Sequence, residues 1–340
     1  MPSRRISALA LACGLVAAGG GAWAQSAASS PGGDARDARL WLMRIQEAAA
    51  RQNFQGTFVI SGGGNVASAR MAHYCEGQNQ YERIESLDGQ ARNVYRWNDT
   101  VHTLWPTSRV AVIEPRDPLN SFPAVLQAGD DALGDWYEVQ PQGTDRVAGR
   151  DASVLLVRPR DAYRYGYRLW ADKASGLLLR ADVLGERGEV LETSAFSDIS
   201  IGQKPQPETV LQPMKRLEGY RVVRPSAQPT RLDLEGWVMK QVAPGFRLVS
   251  CVNRQMETLA DAEATGGAQR VLQAIYADGM TYVSVFVEPF RPQRHTQPMV
   301  AAVGATHTLS MRQGDWWITV VGDAPAATLK LFANGLERRK

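Results

Sequence analysis

The sequence is poor in the residues that usually carry chemistry. Among 340 residues there are three cysteines and four histidines, and no Cys-x-x-Cys or His-x-x-x-His pair occurs. That spacing is what a local zinc site needs, so none is expected. His73, His102, His295 and His307 are read as ordinary surface or satisfied histidines. There is no Gly-x-Ser-x-Gly elbow, and Ser61-Gly62-Gly63-Gly64 is not followed by the Lys-Ser or Lys-Thr of a phosphate-binding loop. Charge of one sign is missing too: 38 basic residues stand against 35 acidic ones, which argues against a nucleic-acid binder. No apolar run reaches the roughly 20 residues that a spanning helix requires.

What is present begins with an export signal. Arg4 and Arg5 precede an apolar run over 6–16, and Ala22-Trp23-Ala24 offers small residues where a signal peptidase cuts, so the mature chain is expected to start at Gln25. Cys13 lies too early in that run to serve as a lipoprotein cysteine. A soluble periplasmic protein is therefore expected. Without its leader the chain is still longer than one core usually serves, and two domains are expected. Cys75 and Cys251 then fall in different domains, either as a domain-tying disulfide or as two small buried side chains.

The spacing of Trp41, Leu42, Ile45, Ala48 and Ala49 predicts an amphipathic first helix. After Asn53 the period changes to that of strands, which recur at 57–61, 71–75, 81–86, 94–97, 101–105 and 110–114. Beyond a proline-containing, partly helical stretch at 115–133 they resume at 137–140, 153–158, 164–171, 177–184 and 190–201. Between 202 and 232 the composition shifts to five prolines and six basic residues against two acidic ones, which reads as a linker with local positive charge. A second β-rich unit follows, with strands near 246–252, 271–276, 282–287, 305–310 and 316–321, and a closing helix from Pro325 that Asp323 is placed to cap. The fold class is thus α+β, mostly β, divided as signal peptide 1–24, large domain 25–201, linker 202–232 and small domain 233–340.

Paired carboxylates such as Glu82 with Glu85, or Asp130 with Asp131, do not make a hydrolase. On a regular strand Glu82 and Glu85 point to opposite faces. The segment 163–168 interleaves tyrosine with arginine, but an exported, near-neutral chain does not suit nucleic acid. Alternate positions Phe58, Ile60, Leu104, Tyr165, Tyr167 and Leu169 offer more apolar surface than one thin helix layer covers, and are candidates for the wall of an acyl-chain cavity. Lys215, Arg216, Arg221 and Arg224 are candidates for contact with an acidic or mixed-charge partner segment. No catalytic residue, metal or cofactor is expected.

Several strings, taken in order, carry a resemblance. They are Gly56-Thr57-Phe58-Val59, His73-Tyr74, Tyr81-Glu82-Arg83-Ile84-Glu85-Ser86-Leu87-Asp88-Gly89, Tyr165-Gly166-Tyr167-Arg168-Leu169-Trp170 and Gly176-Leu177-Leu178-Leu179-Arg180 in the first domain. Pro244-Gly245-Phe246, Asp278-Gly279, Val283-Ser284-Val285-Phe286-Val287-Glu288 and Val321-Gly322-Asp323-Ala324-Pro325 follow in the second. Together they resemble the RseB/MucB family of periplasmic regulators of the envelope-stress sigma factor. The resemblance implies a large domain similar to lipoprotein carriers, an unclosed β-barrel with helices, followed by a smaller antiparallel sheet with a helix. It also implies a negative regulator that binds the periplasmic domain of a membrane-spanning anti-sigma factor, protects it from proteolysis and responds to mislocalised lipid or lipopolysaccharide. A periplasmic lipid or lipoprotein carrier is the alternative; a carrier needs neither the basic linker nor the second domain. A homodimer is left open.

Overall fold

The computed structural model describes residues 31–116, 133–256 and 269–339. The expected signal peptide, its cleavage site and most of the expected partly helical stretch lie outside the described residues. The chain begins with helix α1 (Pro31–Arg51) and runs through strands β1 (Phe54–Gly62), β2 (Asn65–Glu76), β3 (Asn79–Ser86), β4 (Asn93–Trp97), β5 (Thr100–Trp105) and β6 (Val110–Pro115). A single turn, α2 (Leu133–Trp136), leads into β7 (Tyr137–Val147), β8 (Arg150–Pro159), β9 (Gly166–Asp172), β10 (Leu178–Leu184) and β11 (Val190–Ile201). Then come α3 (Glu208–Lys215), β12 (Arg221–Val223), β13 (Ala227–Pro229) and β14 (Trp237–Met239). The remainder is β15 (Arg247–Met256), β16 (Gln269–Ala277), β17 (Tyr282–Pro289), β18 (Met299–Val303), β19 (Thr306–Gln313), β20 (Trp316–Gly322), α4 (Ala326–Gly335) and β21 (Leu336–Arg338).

Twelve strands form one sheet in the order β12-β6-β5-β4-β3-β2-β1-β11-β10-β9-β8-β7, and its two edge strands are not paired with each other, so the sheet stays unclosed. Such a sheet has two faces to cover. Over the β7–β10 half, Leu42 and Ile45 of α1 bury themselves among Leu155, Val157, Tyr167, Leu169 and Leu178. This is the stripe that the helical spacing predicts, and Leu40 and Met43, off the stripe, are exposed. On the β2–β6 half the opposite face is covered by α3, whose Val210 and Met214 pack against Tyr74, Tyr81, Tyr95 and Leu104.

Seven strands form the second sheet, in the order β13-β15-β16-β17-β20-β19-β18, backed by α4 through Leu329, Phe332 and Ala333. Two expectations need correction here. Pro325 is the N-cap of α4 and makes no side-chain cap bond; Asp323 instead accepts a hydrogen bond from the Thr306 hydroxyl. The stretch 202–232 does not hang free: α3 and β12 belong to the large domain, β12 pairing in parallel with β6, while β13 pairs with β15. Its prolines suggest a linker, but Pro207 occupies the N-cap of α3, where its missing N–H costs nothing, while Pro213 lies inside the helix and forfeits the bond its N–H would make one turn back, which helps keep α3 short. The chain thus crosses between the sheets in the three residues Arg224, Pro225 and Ser226.

Phe332 is fully buried and meets Phe246 and Tyr276 at 5.5 and 5.1 Å between ring centroids. Phe332→Ala is expected to cost about 3–5 kcal/mol in urea unfolding, whereas Val249→Ala, at an exposed position, is expected to stay within about 0.5 kcal/mol.

Candidate functional site

On the face of β2–β6 that α3 leaves uncovered lies a cavity of about 530 Å³. Sheet register assembles it, because neighbours across antiparallel strands share a face. One row runs Phe54, His73, Glu82, Arg96, Val101 and Glu114 across β1 to β6. The next row on the same face adds Met71, Ile84, Val94 and Thr103. Phe58, Ile60 and Ala69 extend the apolar side, and Arg254 and Tyr282 of the second sheet close the cavity from across the domain junction. The site is therefore amphipathic, with an apolar wall and a row of polar groups in which His73 and Arg96 are buried and Glu82 and Glu114 half-buried.

Those charges are held firmly. His73 Nδ1 donates to the Gln52 carbonyl at 2.9 Å, its ring stacks on Phe54 at 5.5 Å, and Nε2 faces Glu82 at 3.9 Å. Burial pushes the imidazole below its ordinary value, against the opposing pull of Glu82. Burial also works to raise Glu82, but the hydrogen bond and charge of Arg96 more than offset it and leave the carboxyl below its usual range. Arg96 is buried and donates as well to the Asn98 carbonyl at 3.0 Å. Across the junction, Arg254 meets Glu114 at 3.7 Å.

Of the six residues predicted for the cavity, the structure brings only Phe58 and Ile60 to it. Leu104 points to the opposite face, under α3. Tyr167 and Leu169 lie beneath α1. Tyr165 turns to the second domain, where its hydroxyl is 3.3 Å from His307 Nδ1. The period-two alternation predicted over 163–169 holds only from Gly166, where β9 begins. Before it, Arg164 is fully buried at the junction. Sequence reading missed His73, Glu82, Arg96, Arg254 and Tyr282 as lining residues. The signal available was that Glu82 and Arg96 lie on the faces opposite Tyr81 and Tyr95 of their strands, but the pairing that aligns them is not local.

The four predicted partner contacts, Lys215, Arg216, Arg221 and Arg224, are all exposed. They fall within 215–224, a basic strip of the chain that runs from the end of α3 through β12 to the crossover. Cys75 and Cys251 are unbridged free thiols. Burial raises both, Cys251 to about 11, with Glu235 and Asp233 adding to the effect there. No helix among the described residues is long and apolar enough to cross a membrane, and no group of three or more potential metal ligands occurs among them.

Two features, an unclosed large sheet and a separate smaller one, recur together in known proteins. Residues 37–214 match the MucB/RseB N-terminal domain, and residues 231–337 match the MucB/RseB C-terminal domain. The chain belongs to the MucB/RseB family. It is 30% identical over 308 residues to the sigma factor AlgU regulatory protein MucB of Pseudomonas aeruginosa, covering 89% of this chain and 92% of that one. With the sigma-E factor regulatory protein RseB of Escherichia coli K12 it shares 24% identity over 302 residues, 87% of this chain and 89% of the other. The complex structure of Pseudomonas aeruginosa MucA/MucB matches with a TM-score of 0.68 and 28% identity, over 89% of this chain and 99% of that one. MucB in complex with MucA(peri) gives 0.66 and 27%, over 89% and 100%. Within this MucB/RseB architecture, the cavity is the enclosed site and the basic strip the exposed one.

The buried imidazole sets a pH test. Because the folded value of His73 is lowered, the unfolded chain takes up the proton first, and stability falls as pH drops below the unfolded value near 6.5. His73→Gln is expected to make chemical-denaturation stability shallower with pH between about 6.5 and 5; an unchanged slope would assign the loss to other groups.

Proposed function

We propose that this chain is a periplasmic negative regulator of a sigma factor, acting by binding the periplasmic domain of a membrane-spanning anti-sigma factor and shielding it from proteolysis. The observation that carries the reading is likeness along nearly the whole chain to MucB, which has been crystallised with MucA(peri). Both domains and the crossover take part in that likeness, which a carrier built from the large domain alone would not require.

The partner is assigned to the small domain and the basic strip. Exposed cations raise the encounter rate with an acidic or mixed-charge segment and lose that advantage as salt screens them. Since α3 and β12 are built into the large domain, the test uses the whole chain. Changing Lys215, Arg216, Arg221 and Arg224 together to Gln is expected to weaken binding of the partner's periplasmic domain by about tenfold or more at low salt, and to flatten its salt dependence. Unaltered affinity and salt dependence in calorimetric titrations would remove the strip from the binding surface.

A second element of the reading, lipid sensing, draws on the cavity. Its apolar wall of Phe54, Phe58, Ile60, Met71, Ile84 and Val94 suits an acyl chain, and its volume lies in the range of small-molecule sites. Ala69→Trp fills this space without adding charge and is expected to weaken displacement of a fluorescent fatty acid by about tenfold. Equal displacement by the variant and the parent protein would place the lipid elsewhere.

A further inference from the structure

Among the contacts between the two domains, which include Thr328 Oγ1 donating to the Tyr163 carbonyl at 2.9 Å and the Tyr165–His307 and Arg254–Glu114 pairs, the most deeply buried gathers around one guanidinium. Arg164, fully buried, stands in the bend before β9 and donates to Asp278 Oδ2 at 2.8 Å, to both oxygens of Asp161 at 3.0 Å, and to the Pro244 carbonyl. Asp278 and Pro244 belong to the small domain. The Tyr137 hydroxyl donates to the same Asp278 oxygen at 2.9 Å. Trp136, Tyr137 and Phe246 surround the guanidinium at 5.1–5.5 Å. Around this centre the fit is close: Gly245 has φ +81°, and a Cβ there would lie 2.6 Å from the Trp136 ring. In the same β16–β17 turn as Asp278, Met280 is buried in the cluster beneath α1, so the small domain inserts a side chain into the large domain's core.

A second observation concerns the chain path. Among the described residues the only covalent passage between the sheets is the crossover 224–226, which leaves from β12, one edge of the large sheet. Tyr137 starts β7, the other edge. The cavity draws its walls from both domains, Arg254 and Tyr282 coming from the small one. A rigid rotation of the small domain about the crossover would carry those two residues away from the rest of the lining.

We propose that the small domain is a hinged wall of the cavity, turning on the crossover 224–226 and fastened shut by the Arg164–Asp278 clasp. The inference deepens the reading of the cavity as a ligand site, but the motion itself does not depend on what is bound. A buried cation stripped of one partner is strongly destabilising in the closed arrangement, and hinges of this kind need only a few chain residues. Removing the clasp is expected to raise the ratio of open to closed molecules by about a hundredfold.

The experiment measures an interdomain distance with no lipid or partner present. Spin labels would be placed at Glu138 and Lys330, both exposed, in the chain from Gln25 to Lys340, which lacks Cys13, with Cys75 and Cys251 changed to Ser, and distances read by double electron–electron resonance. The parent protein is expected to give one narrow distribution, and Asp278→Asn a second, longer component. Tyr137→Phe removes one hydrogen bond to the clasp, should fold even if Asp278→Asn does not, and is expected to give a smaller fraction of the same component. Folded variants that keep the single narrow distribution would overturn the hinge. A parallel titration with fluorescent fatty acid separates the two ideas: opening without fatty-acid uptake by any variant would defeat the lipid reading and leave the hinge standing.

Discussion

An unclosed sheet of twelve strands that carries apolar side chains on both faces must bury them on both, and the way this protein does so arranges the rest. Helix α1 seals the face over β7–β10, and α3, drawn from a proline-rich stretch, seals the opposite face over β2–β6. On the face of β2–β6 that lines the cavity only the last turn of α1 arrives, with Ala48 against Phe54, Phe58 and Met71 and Ala49 in the lining. There the second domain supplies the missing side. Cavity and junction are consequences of one incomplete covering, in which no single layer serves the whole sheet.

The cavity's charges obey the same constraint. A buried carboxylate or guanidinium is costly alone, and Glu82 with Arg96 are tolerated because register places them directly opposite on adjacent strands. His73 is kept neutral by burial while its Nδ1 proton is used on a backbone carbonyl. The result is a largely paired polar row next to an apolar wall, with Arg96 Nε left buried and without a hydrogen-bond partner, so a ligand's tail has a dry surface and its head would meet groups mostly committed to each other. At the junction the balance is similar but tighter, since Arg164 has partners in both domains.

Much of the fold was legible from periodicity. The first helix stripe, Leu42 and Ile45, the long run of strands and the closing helix all follow from local pattern, because each element's burial repeats at its own period. Leu104, Tyr165, Tyr167 and Leu169 were placed in the wrong site for a different reason: alternation says which residues share a face of one strand, but not which face of a distant strand or helix will cover it. Arg164 illustrates the limit most plainly. Its neighbours suggested the start of a strand that interleaves tyrosine with arginine, whereas its partners Asp278 and Pro244 lie 114 and 80 residues away. The resemblance of ordered motifs supplied the architecture that pattern alone could not, and the match of residues 37–214 and 231–337 to the two family domains bears that out.

The central claim is that this protein works by holding a membrane partner and not by ferrying lipid. The most direct measurement is to isolate the full-length protein from detergent-solubilised envelopes of its own cell and identify by mass spectrometry what accompanies it. The account predicts a membrane-spanning protein with a periplasmic domain and a cytoplasmic part that binds a sigma factor. Recovery of lipoproteins or free acyl lipids, with no such membrane protein, would contradict it and favour a carrier.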